Sequence, residues 1–165
     1  MRAQSGNPAR LGAALLLLGS AGALAAQEGG HEAGGDTEHH RFGIAGFIGS
    51  TREGSENEFT IGIEGGIRLN SNWSIGAVVE RAERERHSTL FLAGVGWHPT
   101  GTDLRLQVGL GRKDPAGTTE TVLRTAVAYD LEAASGWFLK PYLAIDFINN
   151  EDNEGVFGVY IGKGF

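Results

Sequence analysis

The chain has no cysteine, one methionine and only four prolines in 165 residues. Lack of cysteine excludes a disulfide-stapled fold, a thiolate metal centre and a thiol nucleophile. There is also no apolar run approaching the roughly 20 residues that a membrane-spanning helix needs. Positive charge is in deficit: 14 Lys and Arg face 20 Asp and Glu, for a net charge of −6. That balance excludes the basic footprint of a nucleic-acid-binding protein. Glycine is in excess, with 27 residues against a usual share of about 7%. No Gly-X-Y period accompanies it, so collagen is excluded.

Residues 1–25 read as a secretory signal. Arg2 and Arg10 are its positive start, Leu11 to Leu18 its apolar centre, and Ala23-Leu24-Ala25 its cleavage pattern. The apolar stretch is short and interrupted by Gly12, Gly19 and Gly22, which disfavours an uncleaved anchor. Cleavage near Ala25 or Ala26 removes two arginines and no acids, lowering the net charge from −6 to −8. Residues 26–40 are rich in Gly, Glu and His and hold too little apolar surface to fold, so a flexible tail is expected.

From Arg41 the pattern has period two, and eight alternating segments follow. Phe59, Ile61, Ile63, Ile67 and Leu69 oppose Glu58, Thr60, Gly62, Glu64, Gly66 and Arg68. Trp73, Ile75, Ala77 and Val79 oppose Ser74, Gly76 and Glu80. Leu104, Leu106, Val108 and Leu110 oppose Arg105, Gln107, Gly109 and Gly111, and Leu139, Leu143, Ile145 and Phe147 oppose Lys140, Tyr142, Ala144 and Asp146. The other segments span 41–50, 89–97, 120–131 and 156–165, with weaker alternation. Connections alternate too. Those at 70–72, 98–102 and 132–136 carry little charge, whereas those at 51–57, 81–87, 112–118 and 149–154 are charged. Plain turns at one end and charged loops at the other suit a transmembrane barrel.

Alternation also fits a water-soluble lipocalin-like carrier with its apolar face inward. Three features favour the opposite orientation. The polar face mixes Glu64, Arg68, Glu80, Arg105, Gln107, Arg124, Lys140 and Asp146 with glycines, which would give long charged side chains room in a narrow lumen. On a soluble exterior those glycines would only weaken the strands. The aromatics of the apolar face fall at two levels. Trp73, Trp97, Trp137, Tyr129 and Phe165 collect at one rim and Phe59, Phe91, Phe147 and Phe157 at the other, as two membrane interfaces would select. The chain closes on Val159-Tyr160-Ile161-Gly162-Lys163-Gly164-Phe165, which resembles the C-terminal signal of outer-membrane barrels; Lys163 stands where a hydrophobic residue is usual.

On these residues, 41–165 resembles the small outer-membrane barrels of the outer-membrane protein A transmembrane-domain, outer-membrane protein X and opacity-protein type. The resemblance implies an all-β fold: an eight-stranded antiparallel up-and-down transmembrane barrel in the outer membrane of a Gram-negative cell. Its implied partners are lipid, lipopolysaccharide and, during insertion, the barrel-assembly machinery, with a monomeric state and no cofactor.

The inward charges are expected to pair and close the lumen, since an unpaired ion there would be costly; a narrow pore or small-solute path is the alternative. Arg81, Arg84, Arg86 and Arg112, with Arg52 and Lys113 nearby, are candidate contacts for lipopolysaccharide phosphates, although Glu83 and Glu85 could neutralise them instead. His31, His39 and His40 have the donor chemistry for Zn²⁺, Cu²⁺ or Ni²⁺ but no structural spacing, so a solvated tail is preferred. His87-Ser88 is the only adjacent His–Ser pair, and adjacent strand residues point to opposite faces. No catalytic residues are therefore expected.

Overall fold

The computed structural model describes residues 41–83, 88–115, 118–149 and 152–165. They form one antiparallel sheet: β1 Phe42–Glu53, β2 Glu56–Arg68, β3 Trp73–Ala82, β4 Ser88–Trp97, β5 Leu104–Pro115, β6 Glu120–Tyr129, β7 Leu131–Glu132, β8 Trp137–Ile148 and β9 Glu154–Gly164. Successive strands pair from β1 to β6 and from β7 to β9, β1 also pairs with β9, and β6 with β8, so the sheet closes on itself. The two-residue β7 continues β6 in one register, with Ala128 opposite Tyr142 and Leu131 opposite Leu139. That register sets the break between them at Pro141, which has no N–H to give to the ladder. The structure is thus an eight-stave up-and-down barrel.

Cross-strand register fixes the tilt. A row of paired residues starting at Gly164 passes through Gly43, Gly66, Gly76, Gly94, Gly109, Arg124 and Asp146, and returns to β9 at Glu154, ten residues from its start. With about 3.3 Å per residue and about 4.8 Å between strands, this offset tilts the staves by roughly 40°. The eight long strands, of 10 to 13 residues, then rise roughly 25–33 Å, the depth of a bilayer's hydrocarbon.

The apolar side of each strand faces out. Ile61, Val79 and Leu106 are 44%, 45% and 39% exposed, while Glu64 and Glu80 are buried at 8% and 3%. This reverses the orientation a soluble lipocalin-like carrier needs, and that alternative falls. An exposed apolar belt spanning every stave far exceeds the few hundred Å² that a soluble monomer leaves bare.

The strands reach further than the alternation suggests at the charged end. The expected loop at 51–57 is a two-residue turn, Gly54-Ser55, because Thr51 to Glu53 and Glu56 to Glu58 pair directly. Gly54 takes the positive φ of 57° that so tight a hairpin demands. Likewise β3 runs on through Arg81 to Ala82, and β5 through Lys113 to Pro115. At the other end Asn70 Oδ1 accepts the N–H groups of Asn72 and Trp73, each at 2.9 Å.

The interior holds two apolar clusters beside its charges. One contains Phe47, Tyr142 and Tyr160, with ring centroids 4.7–6.0 Å apart. The other contains Leu90, Leu92, Val122 and Ile148. These inward apolar residues blur the period of β1, β4 and β6, whose two faces are both greasy.

Candidate functional site

The lumen is the place where chemistry-bearing side chains converge. All eight residues of the polar face, Glu64, Arg68, Glu80, Arg105, Gln107, Arg124, Lys140 and Asp146, lie on its wall, because strand parity carries each inward.

Ion pairs cross it at three levels. Nearest the end where β1 begins, Lys140 Nζ donates to both oxygens of Glu64 at 2.6 and 2.7 Å. Arg105 Nη1 reaches the same carboxylate at 3.1 Å, and its Nη2 donates to Asp130 at 2.8 Å. Lys140 also stands 4.2 Å from the Tyr160 ring centroid, adding a cation–π contact. At mid-depth Arg124 grips Asp146 with Nε and Nη2 at 2.6 and 2.7 Å and turns Nη1 to Glu80 at 2.8 Å. The Tyr160 hydroxyl donates to Glu80 at 3.1 Å. At the far end Lys113 pairs with Glu154, above a hydrogen bond between Thr51 and Thr60 at 2.8 Å.

Several bonds are chords joining strands three places apart around the ring, namely β2 to β8, β2 to β5, β3 to β6 and β5 to β9. Glycines make room for them. A methyl group on Gly62 would stand 2.7 Å from Glu80 Cγ, and one on Gly96 would stand 3.3 Å from Arg105 Cδ.

At the turn after β4, His98 accepts or donates a 3.0 Å hydrogen bond with Ser74 and stands 3.8 Å from Asp130. Burial, reinforced by the charges of Arg105 and Arg68, pulls its pKa down to about 4, so the ring is neutral at physiological pH.

Parity, carried through segment 120–131 and two residues past the ends of two others, finds what the sequence reading missed. Asp130 continues the inward series Arg124, Ala126 and Ala128; Lys113 continues Arg105 to Gly111; and Glu154 precedes Val156 and Gly158 on β9. Lys113, expected in an outer loop, is instead buried at 4% because β5 carries it inward to Glu154.

The remaining named residues fall elsewhere. Trp73 and Trp97 face each other across β3 and β4, and with Tyr129, Trp137 and Phe165 they project outward at the end where β1 begins. Phe59, Phe91, Phe147 and Phe157 project outward toward the other end. Arg81 and Arg112 are exposed on the outer wall, Arg81 opposite Ile61 and Thr89, and Arg112 opposite Phe91. Arg84, Arg86, His87 and the tail histidines His31, His39 and His40 lie outside the described residues. Ser88 is buried at 3% and faces the lumen, on a wall that includes Lys113 and Glu154. Among the described residues no three His, Asp or Glu side chains are grouped to hold a metal ion.

No protein-family model matches the chain, and no curated protein does either. Solved structures do. Neisserial surface protein A aligns with a TM-score of 0.52 at 14% identity, over 75% of this chain and 96% of that one. The N-terminal β-barrel domain of Pseudomonas aeruginosa OprF aligns with a TM-score of 0.54 at 14% identity, over 74% and 98%. The Yersinia pestis outer-membrane protein Ail aligns with a TM-score of 0.50 at 9% identity, over 76% and 99%. Closed eight-stave topology, a greasy outer wall and an ion-paired interior give this chain the fold of the small bacterial outer-membrane β-barrels.

Proposed function

We propose that the chain is a non-catalytic protein of the Gram-negative outer membrane, inserted by the barrel-assembly machinery as a monomer, with a closed lumen and a charged outer end that contacts lipopolysaccharide or external surfaces. The observation that carries this reading is the set of ion pairs crossing the lumen at three levels. Oppositely charged side chains that meet in a space this narrow fill it and bind its walls together. The aromatics of the two rims act as interface anchors, Trp73, Trp97, Trp137, Tyr129 and Phe165 on the periplasmic side and Phe59, Phe91, Phe147 and Phe157 on the outer side. Arg81 and Arg112 stand beside or beyond the outer aromatic level with their side chains turned sideways, where guanidinium groups pair with lipid phosphates.

Planar-bilayer recording with the purified, folded protein tests the closed lumen: the expected trace is flat, and steady unitary conductance overturns the reading. A narrow pore or solute path remains the second reading, favoured by one observation. The half of the lumen where β1 begins contains a cavity of about 180 Å³.

A further inference from the structure

One cation stands on the wall that faces lipid at the end where β1 begins. Among the described residues it is the single cation on the outward strand faces there: Lys163 on β9. Its neighbours across the sheet are Ile44 on β1 and Trp137 on β8, and neither strand carries an acidic side chain on its outward face. The ammonium lies 5.4 Å from the Phe165 ring centroid. A charge beside hydrocarbon without a counter-ion is costly, and a lysine near a strand end turns toward the interface to find one. The anion of that interface is the lipid phosphate, to which lysine offers a compact point charge.

The wall beside Lys163 is hollowed. Gly46 lies diagonally above it on β1, and Gly65, Ala77 and Ala93 carry the low relief across β2, β3 and β4, each opposite the next. A Cβ on Gly46 or Gly65 would meet nothing within 4 Å, so both open on the surroundings of the barrel. Ridges bound the hollow on both sides. Ile63, Val79 and Phe91 run above it and Ile67, Ile75 and Val95 below, all exposed. The outward faces of β5, β6 and β8 hold no glycine or alanine, so the hollow belongs to one side of the wall.

Its length suits an acyl chain. The row Lys163, Ile44, Gly65, Ala77, Ala93 crosses from β9 to β4. At about 4.8 Å per strand and a tilt of roughly 40° it climbs about 12 Å. One leaflet offers about 15 Å of hydrocarbon, so a chain leaving a headgroup on Lys163 reaches Ala93 near the bilayer centre. A zwitterionic headgroup would bring its own cation beside the lysine, whereas an anionic one leaves the phosphate free to pair.

From this geometry we infer that the wall from β9 to β4 binds one anionic phospholipid of the periplasmic leaflet, its phosphate on Lys163 beside Trp137 and one acyl chain in the hollow from Gly46 to Ala93. The choice of leaflet rests on the orientation proposed above; the seat itself does not, and a conducting lumen would leave it intact.

Phosphatidylglycerol, titrated into ¹⁵N-labelled protein held in phosphatidylcholine nanodiscs, tests it through backbone amide signals. The signals of Gly46, Gly65, Ala77 and Ala93 should shift and saturate, while Val108, Val127 and Leu143 on the opposite wall stay in place. Glycerol phosphate, which has no acyl chain, should leave all of them unmoved. Lys163→Gln should weaken the binding about fivefold, and Gly65→Leu, which fills the hollow, should weaken it as well. Shifts that grow without saturating, that reach both walls equally, that glycerol phosphate reproduces, or that survive Lys163→Gln undiminished overturn the assignment. The first three comparisons need no variant, so a misfolded one would not blunt them. None depends on which end faces the periplasm, and protease access on intact cells decides that separately.

Discussion

Lys140 on β8 and Glu64 on β2 meet in the barrel interior at 2.6 Å, with the lysine side chain fully shut off from solvent. Two more staves, β9 and β1, lie between them around the wall, so the pair acts as a strut across the lumen and not as a clip between neighbours. A buried pair of this kind adds little net stability over an apolar filling, but loss of one member leaves the other charged and stranded.

Glu64→Gln should therefore destabilise the barrel by about 3–5 kcal/mol, because Lys140 loses the carboxylate that holds it. Adding Lys140→Met should recover much of that loss, because Arg105 keeps Asp130 as its partner. Urea unfolding in phospholipid vesicles measures both. A double variant as weak as the single would show that the cost does not come from an unpaired lysine.

Glycine substitutions should divide by face. A Cβ on inward Gly94 would meet the Val108 carbonyl oxygen at 2.6 Å and the Gly109 Cα at 3.0 Å, and backbone cannot step aside as a side chain can. Gly94→Ala should cost about 1–3 kcal/mol. Outward Gly46 has nothing within 4 Å of the same position, so Gly46→Ala should stay within about 0.5 kcal/mol of the parent. Comparable losses at both sites would refute the packing argument.

The outer wall makes a prediction that distinguishes lipid from water. Ile63 is 64% exposed at mid-strand on β2. In a bilayer Ile63→Arg should cost about 2–4 kcal/mol, whereas on a soluble barrel an exposed isoleucine could become arginine at little cost. Folding yield into vesicles, read as the heat-modifiable band on a gel, reports the difference.

His98 gives the barrel a dependence on acid. Its folded pKa of about 4 lies below the ordinary value near 6.5, so the unfolded chain takes up the proton first. The stabilisation is complete above about pH 6.5 and is lost progressively as pH falls to about 4. His98→Gln should show a smaller fall in urea midpoint between pH 7.5 and 4.5 than the unaltered protein. An identical fall would place the acid sensitivity in the carboxylates alone.

Much of this fold was legible in the residues. Segments such as Phe59 to Leu69 alternate without interruption, and their glycines make sense only where long charged side chains need space. Strand ends were less legible, because polar residues such as Thr51, Arg52, Lys113 and Glu154 read as loop until pairing across the sheet shows them continuing the ladder. The aromatic cluster of Phe47, Tyr142 and Tyr160 was hidden for a related reason. In β1 and β9 both faces carry apolar residues, so period two is weaker there.

By itself the sequence determined the all-β class, the number of staves and which side of each strand is greasy, because side-chain direction on a strand depends only on parity. Which charges meet is a tertiary matter. Glu64 and Lys140 are 76 residues apart, and only closure of the sheet with a ten-residue offset brings them to one level. Cross-strand register likewise lines up Gly66, Gly76, Gly94 and Gly109 along one stretch of the lumen wall. Local chemistry chose the faces, and ring geometry chose the partners.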